Sequence, residues 1–165
     1  MATVYIETTI PSFYHEVRSD AVNVARRQWT RQWFDVATKV DEIVTSAAVL
    51  QELQRGNFPG KPDAIAMITP LDALAITDEV LQIVDEYIDR KLMPRDPAGD
   101  ALHLAIASYH ACDFLVTWNC KHLANANKFG QIHRINDMLG LPTPILTTPL
   151  ELLGGTDNDT GSHHR

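Results

Sequence analysis

Along this chain, short apolar runs alternate with longer stretches in which apolar residues return every three or four positions. "TVYIE" (3–7), "EIVTS" (42–46), "ALAIT" (73–77), "DFLVTWN" (113–119) and "PILTTP" (144–149) read as brief strands. Between the first two, Val22, Ala25, Trp29, Trp33 and Val36 recur at helical spacing and predict an amphipathic helix over about 20–38. "AAVLQELQR" follows the second strand as a helix, with Ser46 as its N-cap and Gly56 as its stop. Thr77 caps another, with Asp78 and Glu79 in the first turn, where the helix dipole favours acids. Val80, Leu81, Val84, Tyr87 and Ile88 form its apolar stripe. "DPAGDALHLAIASYHA" opens with Asp96 as N-cap and Pro97 at the first helical position, and "LELL" is a last helical turn.

Strands that alternate with helices predict an α/β fold with a mostly parallel central sheet flanked by helices. In such sheets ligands sit beyond the carboxyl ends of the strands. Glu7 closes the first strand and Asn119 the fourth, so chemistry is to be sought there. The length suits one domain, over 1–153. The polar "GGTDNDTGSHHR" at 154–165 reads as a disordered tail.

Charge changes the picture. With 14 basic and 21 acidic residues the net charge is −7, which argues against a general nucleic-acid binder with a basic face. It leaves room for an acidic site that holds cations, because a bound metal reverses the local field. No basic stretch followed by an apolar core marks a secretory signal, and no apolar run approaches the ~20 residues needed to cross a bilayer. Cys112 and Cys120 do not make a disulfide framework and read as reduced thiols. A cytoplasmic protein is the expectation.

No G-x-G-x-x-G follows a strand, and neither a P-loop nor a G-x-S-x-G elbow occurs. No Cys or His cluster has zinc spacing. A scatter of carboxylates in apolar company remains. Glu7 ends a buried strand, where an unpaired charge is costly. Glu52 is flanked by Val49, Leu50 and Leu53, and Asp100 opens a helix that is apolar nearly all round. Three such acids would repel one another if they converged. A hard cation such as Mg²⁺ or Mn²⁺ would turn that repulsion into a site and could activate water for phosphodiester hydrolysis.

The order "YIETTIPSF", "TSAAVLQEL", "DALHLAIASYHACDFLVTWNCKHLANA" and "PILTTPLELL" resembles the PIN-domain family in its VapC-type toxin branch, over nearly all of the chain to Leu153. The block from Asp100 to His122 is its most specific part. The resemblance implies a PIN-like three-layer fold with Glu7, Glu52, Asp100 and Asn119 as site residues, the first three as metal ligands. It implies a Mg²⁺- or Mn²⁺-dependent endoribonuclease, blocked by a cognate antitoxin and dimeric. Two departures stand out: Glu7 replaces the more common Asp, and Asn119 is neutral where an acid is frequent. These keep a rival in play, a catalytically weak PIN domain acting as an RNA-binding or assembly module. A metal-dependent DNase would share the site and differ in substrate.

The remaining polar residues have plainer readings. Thr8, Thr9 and Thr117 could orient carboxylates or water, or simply end strands. Asn119 could be a turn residue. His103 and His110 read as packing or surface residues, two turns apart and too far for one metal. Arg26, Arg27 and Arg31 read as a solvated helix face, and Trp29 and Trp33 as core.

Overall fold

A computed structural model describes residues 1–95 and 99–154. Asp96 and Pro97, expected to start a helix, lie outside the described residues, as does the expected tail from 155 onward.

Five strands form one parallel sheet: β1 (Thr3–Ile6), β2 (Glu42–Ser46), β3 (Asp72–Leu74), β4 (Phe114–Val116) and β5 (Ile145–Thr147). Their order is β3-β2-β1-β4-β5, with β1 at the centre. Tyr5 is aligned with Val44 on one side and Leu115 on the other. The expected mostly parallel α/β architecture is the one observed. A central parallel strand is covered on both faces, so it reads as a continuous apolar run. Val4, Tyr5 and Ile6 are accordingly all buried, whereas edge strand β3 is partly exposed.

Among the described residues the helices are α1 (Thr9–Tyr14), α2 (Ala21–Val40), α3 (Ala47–Arg55), α4 (Lys61–Ile68), α5 (Asp78–Asp89), α6 (Gly99–Tyr109) and α7 (Ala126–Met138), followed by the expected last helical turn, over 149–154. α1 packs on α2 and α4, and α5 packs on α6. In α6, Ala101 and every residue from His103 to Ser108 are buried, as its all-round apolar sequence requires. Among the described residues no helix is long and apolar enough to cross a membrane.

Several local expectations need correction. The segment after β1 is a short helix, α1, with Pro11 in its first turn, where the missing N–H costs nothing. Ser46 precedes α3 but its side chain does not cap it; the hydroxyl lies 2.8 Å from the Tyr5 hydroxyl instead. Thr77 does cap α5, accepting from the Val80 N–H at 3.2 Å. In that helix Ile83, not Leu81, completes the buried stripe; Leu81 is exposed. In α2 the buried side chains are Thr30, Trp33 and Ala37, while Val22 and Val36 face solvent. Thr30 belongs inside because its hydroxyl donates to the Arg26 carbonyl and accepts from the Trp118 indole N–H.

Candidate functional site

The carboxyl ends of β1 and β4 lie side by side, and the segments leaving them build the site. After β1, the Glu7 N–H donates to the Val116 carbonyl at 3.3 Å. That bond extends the pairing by one residue and keeps the Glu7 side chain inside, 4 % exposed. Its carboxylate accepts from both the N–H and the hydroxyl of Thr9. The Thr9 hydroxyl also accepts from the Trp118 N–H at 2.8 Å, which ties the start of α1 to the end of β4. Burial pushes the Glu7 carboxyl above its usual range, opposed by the His103 charge and by bonds from Thr9 and Thr117.

Helices α3 and α6 supply the rest. Asp100 and His103 are one turn apart on α6 and share a face. His103, fully buried, bridges two elements: its Nδ1 lies 2.7 Å from the Tyr5 hydroxyl and its Nε2 lies 2.8 Å from Glu52 Oε1. The other Glu52 oxygen accepts from the Thr8 hydroxyl at 2.5 Å. Ser46, Tyr5, His103, Glu52 and Thr8 thus form one unbroken chain of polar contacts through the interior.

These contacts set the charges. Burial opposes a proton on His103, yet the Glu52 bond and charge, with Glu7 and Asp100 behind them, raise its pKa. Burial likewise opposes charge on Glu52, but His103 and Thr8 outweigh it and lower its pKa. Burial raises the Tyr5 pKa, so the phenol keeps its proton. A protonated His103 donates from both ring nitrogens, which leaves the Tyr5 hydroxyl to donate to Ser46. Two carboxylates in one site are therefore pushed in opposite directions, Glu7 towards its acid form and Glu52 towards its anion. Such an asymmetry suits acid–base work.

Asn119 serves two neighbours. Its Oδ1 accepts from the Lys121 and His122 N–H groups at 3.1 Å, the work of a turn residue. Its Nδ2 donates to Asp100 Oδ1 at 2.8 Å, so it also holds a site carboxylate. Glu7, Glu52, Asp100 and Asn119 are thus gathered at one edge of the sheet, and His103 feels the charge of all three acids. Two residues that matter here escape a reading of the sequence. His103 reads as packing, although its place one turn after Asp100 in a buried helix is a signal. Gly99 carries none, yet a Cβ there would lie 2.8 Å from Glu52 Oε1.

The donors are hard oxygens of the kind that suit Mg²⁺ or Mn²⁺. In this structure they also accept hydrogen bonds. Glu52 is engaged through both oxygens, and Asp100 and Glu7 each through at least one. Among the described residues no three His, Cys, Asp or Glu side chains are placed to hold one metal ion together. Each of Glu7, Glu52 and Asp100 accepts hydrogen bonds, and His103 stands beside Glu52 as a built-in counter-charge.

No protein-family model matches the sequence, and no curated protein matches it. Among solved structures, the crystal structure of VapBC2 from Rickettsia felis bound to a DNA fragment from their promoter contains a chain of similar fold. The TM-score is 0.58 at 17% sequence identity, over 88% of this chain and 98% of that one. At that identity the likeness is one of fold.

Proposed function

From a PIN-type, VapC-like fold and the acids gathered at its sheet edge, we propose that this protein is a catalytically weak PIN domain that engages RNA and assembles with a partner protein. The observation that carries this reading is the commitment of Glu52. With His103 on one oxygen and Thr8 on the other, a cation at Glu52 would compete with a charge pair that is already made. Breaking it would strand a buried imidazole without its counter-charge. The likeness to a chain from the VapBC2 assembly supports an antitoxin-type partner, the resemblance adds self-association as a homodimer, and the two unpaired thiols suit the cytoplasm.

A second reading has its own support. Glu7 is a buried carboxylate whose ionisation is opposed by burial, a cost that a nearby cation would relieve. On this reading the protein is a Mg²⁺- or Mn²⁺-dependent endoribonuclease, a toxin component with Glu7, Glu52 and Asp100 as ligands and Asn119 beside them.

Incubation of the purified protein and Asp100→Asn with labelled RNA, with and without Mn²⁺, separates the two. The weak-nuclease reading expects RNA retention without metal and the same slow cleavage from both proteins. Rapid Mn²⁺-dependent cleavage by the wild type, abolished in Asp100→Asn, would establish the endoribonuclease in its place.

A further inference from the structure

Beside the end of α5 lies a cavity of about 410 Å³, lined by Lys91, Leu92, Met93, Pro94, Arg95 and Lys128 among others. Three of these are cations and none of the described lining residues is acidic, in a chain whose net charge is −7. Lys128 is fixed in place: its ammonium donates to the Leu92 carbonyl at 2.9 Å and lies 3.4 Å from His122 Nδ1. Lys91 and Arg95 are exposed, and neither side chain has an ion pair or hydrogen bond among the described residues.

Two features tie this cavity to function rather than to folding. Lys91 sits at φ 59°, the left-handed conformation that follows many helix ends and that glycine adopts without strain. A lysine there keeps a cation at the cavity where glycine would suit the backbone better. The cavity is also wired to the acids. Lys128 meets His122, the His122 N–H donates to Asn119 Oδ1, and Asn119 Nδ2 donates to Asp100. A site rich in carboxylates repels phosphate, so a strand drawn across it needs cations immediately beside it.

Resting on the RNA-engaging reading above, we propose that this cavity seats backbone phosphates of a single-stranded RNA, with Lys91, Arg95 and Lys128 as the contacts that bring the strand alongside Asp100 and Asn119.

The test is fluorescence anisotropy of the full chain with a short labelled single-stranded RNA in EDTA, over a series of salt concentrations. Each phosphate contact on a single strand adds about 0.7 to the slope of log affinity against log salt. Lys91→Gly and Arg95→Gln are each expected to lower the slope by about that much and to weaken binding several-fold. Lys91→Gly relieves the left-handed lysine, and Arg95 is exposed, so both variants are expected to keep the wild-type circular dichroism melt. Lys39→Gln removes an exposed charge from the last turn of α2 and is expected to change neither quantity. Wild-type binding with unchanged slopes in both cavity variants would overturn the cavity and leave the RNA reading standing. No binding by the wild type would overturn both. An equal loss in Lys39→Gln would reduce the effect to net charge, and tighter binding of DNA of the same sequence would overturn the choice of RNA.

Discussion

His103 decides the charge of its surroundings, and pH is the direct probe of it. Its folded pKa lies above the ordinary 6.5, so the stabilisation it brings is full below that value and is lost as pH rises through the folded pKa. Glu52, lowered from 4.5, stabilises above that value and loses its contribution as pH falls through the folded one. Both hold together only in the window between. Melting temperature is therefore expected to decline as pH is raised from 6 past the His103 pKa, and His103→Gln is expected to lack that decline. Parallel pH profiles for the two proteins would refute the charged pair. Gly99 offers a subtler perturbation. Gly99→Ala is expected to keep the fold, since the only close neighbour of its Cβ among the described residues is the Glu52 side chain, whose carboxylate it displaces. NMR titration of His103 is expected to show a lowered pKa; an unmoved one would mean that Glu52 yields without losing its bond.

At the scale of elements, periodicity locates α2 better than it orients it. The predicted 20–38 nearly matches the helix, but Val22 and Val36 are 62% and 63% exposed and the buried row runs through Thr30, Trp33 and Ala37. A threonine hidden by satisfied hydrogen bonds looks polar in sequence, so the apolar pattern leans towards exposed valines. The structural face predicts the energetics. Trp33→Ala is expected to cost about 3–5 kcal/mol in urea denaturation, and Val36→Ser to stay within about 0.5 kcal/mol. The reverse ranking would mean that the sequence stripe is the buried one. Elsewhere legibility tracks chemistry. β2 and α3 are legible residue for residue, because an apolar run and then a helical pattern switch sharply at Ser46. α1, α4 and α7 are not: two carry a proline in the first turn, and the third hides Ile132 and Ile135 among polar residues. The places of the four candidate residues, at strand ends and beside apolar flanks, are readable. Their partners His103, Tyr5 and Gly99 are not, because contact across 98 residues of sequence leaves no local pattern.

For the molecule as a whole, the exposed end of α2 borders an apolar cavity. Trp33, Val36, Val40, Phe114 and Leu153 line a cavity of about 440 Å³ whose walls are largely apolar. Light scattering of the protein alone and with a candidate antitoxin is expected to report association, weakened in Val36→Asp/Val40→Asp with the melt unchanged. Association that ignores both charges would move the interface elsewhere. The sheet order carries a consequence of another kind. Because β1 lies between β2 and β4, the first strand waits for the fourth, and the Thr9–Trp118 tie spans 109 residues. A ribosome making this chain releases Glu7 and Glu52 early and Asp100 and Asn119 late, so the four are not together until well past the middle of translation. The growing chain therefore cannot complete this site until four of its five strands have been made.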